Sequence, residues 1–201
     1  LCREYAGHPL ISMSLAPGII WDHSREGYRR TREIADKYHI PITMHVVETI
    51  DDDEYALKTW NKRTIPFLEE CGVLGPDFIA VHSVHLTEED IRIFKKHQVS
   101  VAHCPIPNML LASGSAPVPR LLEEGITVSL ACDGAASNDA QDMLEVLKIT
   151  ALKHKLVSGN AAVVSAAEVL EMATLGGAKA LLQEDRIGSL EAGKKADMFI
   201  Y

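Results

Sequence analysis

Short apolar runs alternate along the chain with longer segments of helical period. Residues 9–17 (PLISMSLAP), 41–46 (PITMHV), 78–82 (FIAVH), 99–104 (VSVAHC) and 126–132 (ITVSLAC) read as strands, rich in β-branched residues and bounded by Pro, Gly or Asp. Between them, residues 24–39 place Tyr28, Thr31, Ala35 and Tyr38 on one helical face, and residues 54–72 predict a helix that Pro66 kinks or interrupts. Thr87 caps residues 88–97, with acids in the first turn and bases in the last. Residues 116–125 predict a short helix and 139–156 a longer one with Met143, Val146, Leu147 and Thr150 on one face. Ser165 and Glu168 form a capping box that opens a further helix.

Strands separated by helices of this length imply parallel pairing through right-handed crossovers. The fold class is α/β, either an open doubly wound sheet or part of a (β/α)8 barrel. No glycine-rich phosphate loop supports a nucleotide fold. A full barrel takes about 250 residues, and this chain has 201.

The net charge of −8, with no Lys/Arg block, speaks against a nucleic-acid partner. No apolar run approaches a membrane span, and no signal peptide is visible. Cys2, Cys71, Cys104 and Cys132 lack metal or redox spacing and read as reduced thiols, pointing to a cytoplasmic protein.

In such folds chemistry gathers at the C-terminal ends of the strands. Four predicted strands end in a titratable residue: His45, His82, His103 and Asp133. Each lies one strand–helix unit after the last, so their side chains can converge on one rim. Singly, each has a plainer reading, since a strand-end His is commonly a hydrogen-bonded structural residue and Asp-Gly a turn. Glu48, three residues past His45, could serve a substrate nitrogen or be a solvated loop acid. Trp21 and His23 line a pocket or pack. His85 reads as structural, and His8, His39, His97 and His154 as surface or helix-end residues.

The segments HVVET, AVHSVHLTEEDI, VAHCPIPNMLLASGSAPV and ACDGAASND, followed by the tail ATLGGAKALLQEDRIGSLEAGKKADMFIY, resemble in order the amidohydrolase superfamily. Within it they are similar to the branch of methylthioadenosine/S-adenosylhomocysteine deaminases, 8-oxoguanine and other purine or pterin deaminases, and triazine hydrolases. The resemblance runs from about residue 40 to the end. It implies a metal-dependent (β/α)8 barrel with one divalent ion, zinc or less commonly iron, acting on a small heterocyclic substrate. It implies His45 and Asp133 as metal ligands, with Asp133 also taking a proton from water. Glu48 would contact and protonate a ring nitrogen, and His82 would hydrogen-bond the water and the developing tetrahedral centre. His103 would lie near the substrate pocket, and Trp21, from its own place after the first strand, is a candidate to line it. The activity implied is hydrolytic deamination releasing ammonia. The alternatives are another leaving group (a triazine chlorohydrolase or N-dealkylase) or a catalytically inactive homologue.

Two departures stand out. The family's H-x-H metal pair is absent, so the expectation is a C-terminal portion of a longer barrel that lacks the first strands. Residues 1–185 would be the partial barrel and 186–201 the start of a return into a small β-domain; a homo-oligomer is left open. Gly18, Pro107 and Leu110 stand where many adenosine-type deaminases differ. A smaller aminated heterocycle or a triazine therefore fits as well as methylthioadenosine.

Overall fold

The computed structural model describes residues 1–198 and 200. In chain order the elements are α1 (Arg25–Tyr38), β1 (Ile42–Val46), α2 (Ile50–Trp60), α3 (Thr64–Cys71), β2 (Phe78–His82), α4 (Glu88–His97), β3 (Ser100–His103), α5 (Pro105–Leu110), α6 (Val118–Glu123), β4 (Val128–Leu130), α7 (Ala135–Asn138), α8 (Met143–Ser158), α9 (Ala166–Glu171), a π-helical turn (Met172–Gly176) and α10 (Gly177–Ala180). The four strands form one parallel sheet in sequential order. That is the crossover topology the alternation predicts.

Register divides the sheet into two faces. Met44 pairs with Ala80, Ala80 with Val101, and Val101 with Val128. These residues join Ile42, Val46 and Phe78 in the main core beneath the helices. The opposite face carries Thr43, His45, Ile79, Val81, Ala102 and Ser129. There Ile79, Val81 and Ala102 gather with Ala180 of α10 into a small second cluster.

Several helix ends match the sequence reading. Thr87 with Asp90 and Ser165 with Glu168 close capping boxes on α4 and α9, while the Ser24 cap of α1 was not anticipated. Others differ. The helix expected over 54–72 is two helices, because Asn61 takes a left-handed conformation at the end of α2 (φ 54°). Pro66 then lies in the first turn of α3, where its missing N–H has no intrahelical partner to lose. The long helix begins at Met143, with Asp142 as its cap. The strand expected over 9–17 contracts to a single parallel bridge between Leu15 and Ile42. Leu15 exchanges bonds with Pro41 and Thr43, and Gly18 accepts the His45 N–H, while Leu10, Ile11 and Ser12 stay exposed. Phe199 and Tyr201, in the segment expected to start a return into a small β-domain, lie outside the described residues. No described helix is long and apolar enough to cross a membrane. All four cysteines are free.

Candidate functional site

His45 emerges from β1 on the face opposite the main core, opposite Val81 in the ladder. His82 pairs with Val46 and would by alternation point the other way, into the helix layer. It does not, because its backbone is left-handed (φ 65°), as is that of Ser83 (φ 52°). The turn brings the His82 ring to 5.0 Å from that of His45, centroid to centroid. Asp133 lies three residues beyond the end of β4 and is also left-handed (φ 62°). Its Oδ2 accepts the Ser137 hydroxyl at 2.9 Å, and its carbonyl accepts Gln141 Nε2 at 2.8 Å. Non-glycine residues with positive φ are uncommon, and each costs about 1–3 kcal/mol. Two of them aim site side chains.

One donor atom from each of His45, His82 and Asp133 lies within 4.8 Å of the others. His82 is buried, and its Nδ1–H donates to Asn108 Oδ1 at 2.9 Å. That bond leaves the Nε2 lone pair facing the site without a hydrogen-bond partner. Burial holds the His82 pKa below the ordinary histidine value, against the pull of Glu48 and Asn108. A neutral imidazole with a free nitrogen beside a second imidazole and a carboxylate is a donor set that suits a divalent ion of zinc type.

Glu48 stands beside this group, with Oε2 at 3.5 Å from His82 Nε2 and Oε1 accepting the Ser113 hydroxyl at 3.4 Å. The loop that carries it is clamped. Val47 is left-handed (φ 43°), and its carbonyl accepts the N–H groups of both Val84 and His85. His85 is structural, as read, bonding the Ser113 carbonyl through Nε2 at 2.8 Å.

His103 is a correction. It pairs with Leu130 on the helix side of the sheet, is fully buried, and sets Nε2 at 3.1 Å from Nε2 of His154 in α8. It therefore offers nothing to a pocket formed by His45, His82 and Asp133. His154, read as a helix-end residue, is buried as well. Among the pocket residues expected, Trp21 is exposed and meets Tyr55 of α2 edge to face at 5.9 Å. Three contributors went unread: Asn108, Ser113 and the buried Asp52 behind Glu48. All three act through hydrogen bonds across long sequence separations or a helix start, which periodicity does not report.

The chain as a whole is similar to known proteins. A 5′-deoxyadenosine deaminase of Methanopyrus kandleri is 40% identical over 199 residues, 99% of this chain and 46% of its own length. A 5-methylthioadenosine/S-adenosylhomocysteine deaminase of Teredinibacter turnerae is 39% identical over 194 residues, 96% of this chain and 44% of its own length. The crystal structure of an adenosine deaminase from Xanthomonas campestris with bound zinc superposes with a TM-score of 0.94 at 36% identity, over 97% of this chain and 44% of its own. The chain thus spans less than half the length of these relatives. The pattern that defines the amidohydrolase family matches residues 5–201. The chain belongs to the amidohydrolase family.

Proposed function

We propose that this chain supplies part of the active site of a metal-dependent hydrolytic deaminase acting on an aminated purine-like or related nitrogen heterocycle. One observation carries the reading: the donor atoms of His45, His82 and Asp133 converge within 4.8 Å, with Glu48 next to them. The deaminase names of the relatives support it.

In this reading His45 and Asp133 hold the ion, and His82 Nε2 lies close enough to share in the site. A bound divalent ion supplies Lewis acidity and brings the pKa of water toward about 7. The chain's own residues handle the protons. Asp133 accepts a proton from the attacking water, whose oxygen bonds to the ring carbon bearing the amine. Glu48 protonates the adjacent ring nitrogen as the water oxygen adds. The proton held by Asp133 then passes to the amine, the C–N bond breaks and ammonia leaves, while the remaining hydroxyl proton returns to Glu48 as the carbonyl forms. Neutral His82, oriented by Asn108, accepts through Nε2 a hydrogen bond from the O–H of the attacking water. A catalytic zinc commonly has three protein ligands; any ligand beyond these donors would come from the part of the relatives' length that this chain does not span.

The test is ammonia release by the full-length protein from a panel holding 5′-deoxyadenosine, methylthioadenosine, adenosine, guanine and chlorinated or alkylated triazines. Ammonia from at least one purine supports the reading. Chloride or alkylamine release alone would overturn it, as would inactivity with zinc bound.

A further inference from the structure

Three acids open α2: Asp51, Asp52 and Asp53. The helix dipole favours acids there, but a surface position suffices for that. Asp53 ties α2 to α3, its two oxygens accepting the Thr64 N–H at 2.9 Å and Arg63 Nε at 2.8 Å. Asp52 instead is fully buried. A buried carboxylate is costly unless it is bonded, and its partner shows what it holds.

Asp52 Oδ2 accepts the backbone N–H of Glu48 at 2.8 Å, while its Oδ1 has no hydrogen-bond partner among the described residues. Asp52 occupies the third helical position, from which the acid of a capping box reaches back to the cap residue. Here the Thr49 side chain makes no return bond, and Asp52 reaches one residue further. The Glu48 carboxylate has only long contacts, at 3.4 Å to Ser113 and 3.5 Å to His82. Its peptide is the well-held part, lying between left-handed Val47 and the Asp52 carboxylate.

We propose that Asp52 is a positioning residue for Glu48: by binding the Glu48 amide it fixes the strained loop from which the Glu48 carboxylate reaches the site. The effect on rate rests on the proposed deamination; the effect on the loop rests on geometry alone.

The experiment compares wild type, Asp52→Ala, Asp52→Asn, Glu48→Gln and the Asp52→Asn/Glu48→Gln double variant in the full-length protein. Amide hydrogen exchange at Glu48 should speed up about tenfold or more in Asp52→Ala, as expected when a buried amide loses its acceptor. Asp52→Asn keeps the shape and one acceptor oxygen, so its exchange should fall between wild type and Asp52→Ala. Should the alanine variant fail to fold, Asp52→Asn alone decides. In kinetics, kcat should drop roughly 10- to 100-fold in Asp52→Ala, the scale of an ångström-level misplacement, and less in Asp52→Asn. KM and metal content should stay within about twofold. In the Glu48→Gln background Asp52→Asn should add less than about twofold, because coupled residues are not additive. Unchanged Glu48 exchange in both Asp52 variants overturns the proposal, as does an additive kinetic loss in the double variant. If wild type deaminates nothing on the panel, the deamination reading fails while the exchange measurement still decides the tether.

Discussion

His45 and His82 face each other across the C-terminal end of the sheet, their ring centroids 5.0 Å apart, although ladder register assigns them to opposite faces. The left-handed backbone at His82 (φ 65°) resolves the conflict. The convergence of the site therefore depends on a strained peptide as well as on strand order.

That dependence separates two substitutions. Asn tolerates the left-handed region, whereas a β-branched residue there is a true outlier. His82→Asn should leave the melting temperature of the full-length protein near wild type and lower kcat about 10²- to 10³-fold, the scale of a lost hydrogen bond to the reacting centre. His82→Val should lose activity too and be a further 1–3 kcal/mol less stable. Equal stability of the two variants in a denaturant titration would show that the φ of His82 carries no cost.

Ligands and proton carriers should separate by metal content. Asp133→Asn and His45→Ala should lose bound metal from the purified full-length protein, because each removes one of the converging donors. Glu48→Gln should keep its metal while turnover falls about 10²-fold or more. Stoichiometry by elemental analysis with ammonia release checks both. A metal-replete Asp133→Asn variant of near wild-type rate would leave Asp133 as a turn residue bonded to Ser137.

Much of this was legible in the chain. Apolar runs located all four strands, and Thr87, Ser165 and Glu168 marked helix starts through side chains that bond their own neighbours. His45, His82 and Asp133 were singled out because each stands at the end of a predicted strand. His103 met the same criterion and belongs elsewhere. Position after a strand says nothing of face, and His103 shares parity with Val101 on the core side, while His82 escapes the same parity through one dihedral angle. Likewise His154 read as a surface or helix-end residue; only its contact with His103 of β3 shows that it is buried.

The π-helical turn offers a control within two residues. A Cβ on Gly176 would overlap the Val128 carbonyl oxygen of β4, whereas a Cβ on Gly177 meets nothing within 4 Å. Both residues have ordinary helical backbone angles. Alanine is favoured over glycine in helices by about 1 kcal/mol, so Gly177→Ala should raise the melting temperature slightly. Gly176→Ala should lower stability by about 1–3 kcal/mol as the turn is pushed from the strand. Two changes of the same sign would refute this account of the contact.

The His103–His154 pair and its neighbour Lys153 should write the pH dependence of stability. Burial holds His103 well below the ordinary histidine range, with help from Lys153 and His154; it brings His154 down to about 4 and Lys153 down to about 8. Lys153 Nζ has no hydrogen-bond partner among the described residues. These are bases with depressed folded pKa values, so over the affected range the unfolded chain binds more protons and stability rises with pH. The histidines give a rise from about pH 4 to their unfolded value near 6.5, lost again as pH falls through that window. Lys153 gives a second rise between about 8 and its unfolded value near 10.4. Lys153→Met should remove the second rise and stabilise the protein at pH 7 by about 1–2 kcal/mol, or roughly 2–8 °C in Tm. The two proteins should converge above pH 10. Melting curves from pH 4 to 10.5 check this, and a Lys153→Met variant that melts below wild type at pH 7 would mean that the amine has found a partner.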